Sequence, residues 1–205
     1  MDEMIKQTIE ALKANNIEAF YAKDTDVARD MVISMINKDD VIGAGGSMTL
    51  DQCNIRDEIR KSGYKFLDWF KADLSESEKV EILKNTLTCD VFLTGSNVIT
   101  MDGKLFNVDG RGNRVAALIF GPKKVIVVAG RNKIVKDMDE ARERMETVAA
   151  PLNAKKLNKI TGCAKTGYCV DCNSPERICR HFVVTDMQKD DGRMNVIIVD
   201  DELGL

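Results

Sequence analysis

The sequence predicts an α/β fold: a mainly parallel sheet flanked by helices, with local antiparallel hairpins and a cysteine-rich segment near its end. Three observations carry that expectation. Short β-branched runs alternate with helically spaced apolar stripes through the first two thirds of the chain. The run Val125 to Ala129 is apolar throughout and mostly β-branched, the composition of a strand buried on both faces. Asp-Gly pairs at Asp102-Gly103 and Asp191-Gly192 sit between strand-like runs, where two hairpins are expected.

Taken in order, Met4, Ile5, Ile9 and Leu12 give a loose helical stripe, and Val27, Ala28, Met31, Val32, Met35 and Ile36 a cleaner one. Strands are expected at Ile17 to Tyr21, Val41 to Gly43, Tyr64 to Leu67 and Val91 to Gly95. Ser75 with Glu78 three residues on reads as a capping box that opens a helix through Val80, Ile82, Leu83 and Leu87. Val115 to Phe120 reads as a short buried helix leading into the Val125 strand. From Lys136 to Lys159 the pattern is helical, but Pro151 requires two helices or a kink. No repeat or linker divides the chain, so a single domain over residues 1–205 is expected, with the cysteine-rich segment 162–180 as part of it.

Composition narrows the function. At 205 residues and 44% hydrophobic, the chain can bury a real core, so its six cysteines need not staple a small secreted module. The first residues show no signal peptide and no apolar run of membrane-spanning length, which points to the cytoplasm. Net charge is −3 with both signs interspersed, which gives no footprint for nucleic acid or an anionic membrane surface.

The stretch "DVIGAGGSMTL" runs a strand into Gly43, Gly45 and Gly46, then Ser47 and Thr49 at a helix start. Glycines let a backbone approach a ligand, and free N–H groups there favour an anion. It lacks the P-loop lysine, and Met48 stands where a third dinucleotide-fold glycine would be, which disfavours a dinucleotide fingerprint and leaves a tight turn without ligand as the alternative. In "NVDGRGNRVAALIF", Gly110 and Gly112 flank Arg111, and Asn113 and Arg114 follow. This group suits a carboxylate or phosphate, or else Asp109 and Asn113 cap the helix and pair with the arginines. Asp51 and Asp109 are the carboxylates taken as acid–base or nucleophilic candidates, since the chain has one histidine, His181, and that is expected to be structural.

Cys163, Cys169, Cys172 and Cys179 follow the spacing C-x5-C-x2-C-x6-C. The inner pair forms a tight chelate, and the outer two need only short loops to close around one centre, with Ser174-Pro175 as the turn returning Cys179. Lys165, Arg177 and Arg180 stand near to offset thiolate charge. Zinc and an iron–sulfur cluster both accept four thiolates; a thiol–disulfide pair and plain structural cysteines are the alternatives. Cys53 and Cys89 are expected in the core.

The segments "GAGGSMTLDQ", "GSNVITMDGKLFNVDGRGNRVAALIFGPKKVIVVAGRNKIV" and "CAKTGYCVDCNSPERICR" resemble the LUD domain family, formerly domain of unknown function 162 and associated with lactate utilisation. The resemblance spans most of the chain. It implies a NagB/RpiA/CoA-transferase-like fold, a group that binds sugar phosphates, CoA thioesters or folates at glycine-rich loops over the sheet. By that resemblance Gly43, Gly45, Gly46, Ser47 and Thr49 form one ligand loop, and Asp109, Gly110, Gly112, Asn113 and Arg114 the wall opposite. Asp51-Gln52 stands where many members carry Glu-rich sequence.

The leading expectation is a cytoplasmic component of organic-acid oxidation, lactate to pyruvate, binding a small anionic ligand at the glycine loops and a metal on the four cysteines. One alternative is a transferase or isomerase acting on a CoA ester or sugar phosphate. Another is a non-catalytic module that docks iron–sulfur redox proteins. Homodimers are common in this fold group, which makes one possible here, although the sequence marks no oligomer interface.

Overall fold

The computed structural model describes residues 1–205. Helix α1 (Glu3–Ala14) starts where the Asp2 carboxylate accepts from the Ile5 N–H, and it turns Ile5, Ile9 and Leu12 inward. β1 (Glu18–Ala22) leads to α2 (Thr25–Ser34), capped in the same way by Asp24. β2 (Val41–Ala44), the short helices α3 (Met48–Gln52) and α4 (Ile55–Lys61), and β3 (Lys65–Phe66) follow. α5 (Glu76–Asn85) carries both halves of the expected Ser75–Glu78 capping box. Then come β4 (Val91–Thr94), β5 (Val98–Thr100), β6 (Leu105–Asp109), α6 (Asn113–Ile119), β7 (Lys124–Gly130) and β8 (Ile134–Val135).

The main sheet has six strands, all parallel, in the order β1, β10, β7, β4, β2, β3, where β10 is Met194–Val199. Helices cover both faces, so residues of one strand alternate between two cores. Val125 and Val127 of β7 join Ile5, Leu12 and Phe92, while Ile126 and Val128 join Val32, Ile42 and Leu50. This two-sided burial is why β7 and β10 are apolar at nearly every position.

A second, mixed sheet orders β8, β5, β6 and β9 (His181–Thr185). The Asp102-Gly103 hairpin is present: β5 and β6 pair antiparallel around it. The Asp191-Gly192 hairpin is not. β9 pairs antiparallel with β6, whereas β10 enters the parallel sheet between β1 and β7, so the Gly192 turn links two sheets. Burial decides it: β10 is buried at all six positions and needs neighbours on both sides, while β9 is half exposed and suits an edge.

Pro151 falls in the first turn of α8 (Ala150–Lys156), which continues α7 (Met138–Arg144) through a π turn at Met145–Ala149. The wide turn accommodates the missing proline N–H, so the expected break is a bulge within one helical run. Val98, Phe106 and Val108 of the second sheet pack on Ala141, Met145 and Ala149 of this run. α9 (Gly162–Thr166) then opens the cysteine segment.

Gly103 ties the second sheet to α1. Its φ is +85°, and a Cβ there would stand 2.5 Å from the Ala11 carbonyl carbon. Gly103→Ala therefore combines left-handed strain with a backbone clash, at a cost of about 3 kcal/mol. Thermal unfolding should shift down by roughly 10 °C for a chain of this size; an unchanged midpoint would contradict the packing.

Candidate functional site

In an open parallel sheet, ligands bind beyond the carboxyl ends of the strands where the strand order reverses. Here the chain leaves β2 in one direction to β3 and returns on its other side to β4, so the reversal lies between β2 and β4. The loops that follow these strands meet there. Gly45 N–H donates to the Leu93 carbonyl at 2.9 Å, and a Cβ on Gly95 would lie 2.7 Å from Ser47 Oγ. The expected glycine loop thus occupies the switch point.

Its members have different jobs. A Cβ on Gly43 would meet Thr86 Cβ at 2.9 Å and Cys89 Sγ at 3.0 Å, so that glycine is a packing requirement. Gly45 is small because Arg114 Cγ and Cδ lie 3.0 Å from where its Cβ would be. Gly46 faces the edge of Trp69, whose indole N–H donates to the Ala44 carbonyl. Ser47 caps α3, its Oγ accepting from Leu50 N–H at 3.4 Å, and Thr49 is buried.

The second motif divides. Arg114 reaches the loop and fills the gap between the sheets, donating to Asn107 Oδ1, Asn97 Oδ1 and the carbonyls of Val108 and Gly95. Burial pushes its guanidinium below the ordinary arginine value, with Asp109 pulling it back up. Asp109 Oδ2 lies 3.5 Å from Arg114 Nε, and Oδ1 accepts from the N–H groups of Arg111 and Gly112. Gly110 packs on the Ile178 carbonyl. Gly112 and Asn113 turn away from the loop to a hollow of about 510 Å³, shared with His181, Lys84 and the apolar Leu83 and Ile119.

Asp51 is half exposed and pairs with Arg56, whose Nε donates to it at 2.6 Å. The Arg56 guanidinium stacks 3.8 Å over the Phe70 ring, and its buried Nη1 has no acceptor. The two candidate aspartates are therefore each committed to a different arginine.

Just past the end of β7, Lys133 lies buried beside Gly204. Burial, then the charges of Arg144 and Arg114, push its amine down from the ordinary lysine value, and an oxygen of Leu205 accepts from it. Arg144 is likewise pushed below its ordinary value by burial, and it donates to the carbonyls of Asn132 and Asn97.

The four cysteines converge on a separate cavity of about 290 Å³, with Met145, Thr161, Arg177 and Phe182 also in its wall. Arg177 holds the segment in shape, donating to the carbonyls of Cys172 and Cys179, and Cys169 N–H is anchored to the Glu146 carbonyl at 2.7 Å. Ser174 forms the expected turn by accepting from Glu176 N–H, and its carbonyl accepts from Arg177 N–H. Burial pushes the Cys179 thiol up to about 11, and the neighbouring Cys163, Cys169 and Cys172 add to that. No three His, Cys, Asp or Glu side chains are gathered as a coordination sphere. The donors match a thiophilic metal in number and softness. Lys165 stays exposed, and Arg180 binds backbone carbonyls of the same segment. Cys53 and Cys89 are buried in the core as expected.

The LUD domain profile matches residues 5–199. The chain belongs to the LUD domain family. Membership supports a role related to lactate utilisation in general terms. The LUD fold is seen again in a DUF162 family protein from Deinococcus radiodurans, 15% identical, with a TM-score of 0.56 and 96% of each chain covered. Looser likenesses are ribose 5 phosphate isomerase A from Neisseria gonorrhoeae and an eIF2B beta–delta complex from Chaetomium thermophilum. The first has 15% identity, TM-score 0.35 and 56% of this chain against 54% of that one. The second has 20% identity, TM-score 0.41 and 85% against 55%. No curated protein matches the chain. No helix is long and apolar enough to cross a membrane.

Several residues at the LUD crevice escape sequence reasoning: Lys133, Arg144, Asn97, Asn107 and Trp69. Asn97, Asn107 and Lys133 do lie in the quoted family motifs, at "GSNV", "LFNV" and "GRNK". A single polar residue after a strand has no periodicity to mark it, and only the sheet order brings these loops together.

Proposed function

We propose that this LUD chain is a cytoplasmic component of organic-acid oxidation, lactate to pyruvate, that binds a small anionic ligand at the Gly43–Thr49 loop and a metal on Cys163, Cys169, Cys172 and Cys179. The observation that carries the reading is the convergence of all four thiols on one cavity from a 17-residue stretch, Cys163 to Cys179. Iron–sulfur occupancy would supply electron transfer; zinc would tie the segment to the π-bulged helix behind it. Arg177 supports either, since it lowers the energy of thiolate charge beside it while its donors fix the backbone.

Docking of an iron–sulfur redox protein is favoured as a second reading by exposed Val170 and Phe182, both in the cavity wall. The transferase or isomerase reading has less to draw on, because arginines hold both Asp51 and Asp109.

The test is anaerobic purification of wild type and Cys172→Ser, with iron, zinc and acid-labile sulfide measured per chain alongside the visible spectrum. Wild type should carry a stoichiometric metal centre and the variant should lose it. Metal-free wild-type protein would sink the metal half of the reading.

A further inference from the structure

Strand β9 is an edge of the second sheet: it pairs with β6 on one side and with no strand on the other. The neighbouring strand shows which of its backbone groups are left over. Val108 N–H donates to Asn97 Oδ1 and the Val108 carbonyl accepts from Arg114, so that backbone turns away from β9. In an antiparallel ladder two opposed residues either both turn inward or both turn outward. Phe182, opposite Val108, therefore points its N–H and C=O to the open side, and Val184, two residues on, does the same. Edge strands of soluble proteins are usually blunted by charge or proline. Between Arg180 and Asp186 there is no lysine, arginine, acid or proline, and Phe182 and Val184 are 57% and 46% exposed.

We propose that β9 is the seam of a symmetric homodimer, in which a second copy of this chain adds its own β9 antiparallel across a two-fold axis at Val183. The strand's self-complementarity selects a second copy as the occupant. With the axis at Val183, Phe182 stands opposite Val184 of the partner subunit, and Arg180 opposite Asp186 of the partner subunit. Even spacing sets Phe182 and Val184 on one face, with the opposite charges just beyond the two ends of the strand. An axis at Phe182 would set Arg180 against a valine, and an axis at Val184 would set Phe182 against an aspartate. The register at Val183 also matches the two residues whose backbone groups face outward, so they exchange ladder hydrogen bonds across the seam.

Both charges are available to pair. Arg180 donates to the carbonyls of Arg177 and Pro175 and has no acidic partner. The Asp186 side chain is 71% exposed, and its one ion pair is with Lys104, at 3.4 Å. Such rim charges fix register, while the aromatic ring against a β-branched side chain supplies packing. The seam also reaches the thiols. Phe182 stacks on Phe106 within its own chain and lines the cysteine cavity beside exposed Val170. In the dimer the partner subunit's Val184 stands against the open side of that wall, so that two chains together cover the cavity's apolar rim. The seam depends on neither the metal nor the anionic ligand.

The full chain would be followed by sedimentation velocity and light scattering over a dilution series in the micromolar range. Wild type should run at twice the 22.8 kDa chain mass. Val184→Pro removes an N–H that faces only the open edge, a place where a strand tolerates proline, and should give a monomer with an unchanged circular dichroism spectrum. Val184→Lys, which keeps the N–H but sets a charge against Phe182 of the partner subunit, should also be monomeric and carries the test should the proline variant misfold. Arg180→Asp and Asp186→Arg should each weaken the dimer by about tenfold or more. The double exchange restores opposite charges across the axis and should recover most of that loss, which a role of either residue within its own chain does not predict. A monomeric wild type overturns the proposal and leaves the edge to an unlike partner. A dimer that both Val184 variants leave intact overturns it as well, and moves the interface to another face.

Discussion

Arg114→Leu should lower the thermal midpoint by about 10 °C, the consequence of losing roughly 3–5 kcal/mol when one partner of a buried, hydrogen-bonded charge pair is removed. The guanidinium ties the loop after β4 to the β6 strand, through Gly95 and Asn97 on one side and Asn107 and Val108 on the other. Leucine fills much of the volume beside Gly45 but takes the cation from the Asp109 carboxylate, which keeps only the N–H groups of Arg111 and Gly112, and strips the charged donor from the side-chain carbonyls of Asn97 and Asn107, which keep only neutral donors. An ion pair of this kind adds little net stability when complete, because desolvation cancels much of the attraction; it is the half-removed pair that is expensive. The double variant Arg114→Leu with Asp109→Leu should therefore recover part of the loss, less the capping bonds that Asp109 gives Arg111 and Gly112. Denaturation of the two variants side by side decides it. Equal midpoints for wild type and Arg114→Leu would mean that the two sheets are not joined through this side chain.

The parallel sheet was legible because burial on both faces writes itself into composition: Val125 to Ala129 can hardly be anything else, and the capping residue Ser75 marks its helix unaided. Where the reading went astray, the determining contact is distant. Asp191-Gly192 has the local chemistry of a hairpin, yet β10 is drawn into the sheet by β1 and β7, whose partners for it lie far away in sequence. The site divides in the same way. Cysteines close in sequence line one cavity, since short loops leave few alternatives, without closing into a coordination sphere. The glycine loop was visible, but its two-way division of labour, with Gly43 and Gly45 relieving clashes and Gly46 facing Trp69, depends on Thr86 and Cys89 arriving from the α5–β4 connection and Arg114 from α6. Lys133 was invisible for a related reason: a lysine is read as surface unless the fold is known to bury it.

Burial of two core thiols makes the wild-type chain less stable in alkali. The thiols of Cys53 and Cys89 are pushed up from 9.0 to about 11 by burial, so between these values the folded chain holds protons that the unfolded chain has released. Unfolding then gives up protons, and stability falls as pH rises from 9 to 11, by about 2 kcal/mol for each thiol. Cys53→Ala and Cys89→Ala should each remove one thiol's share of that fall, while the small cavity each leaves lowers stability alike at every pH. Urea denaturation at half-unit steps of pH, wild type beside the two variants, reads the curves. Variants that fall with pH as steeply as wild type would mean that these thiols ionise in place, without cost to the folded chain.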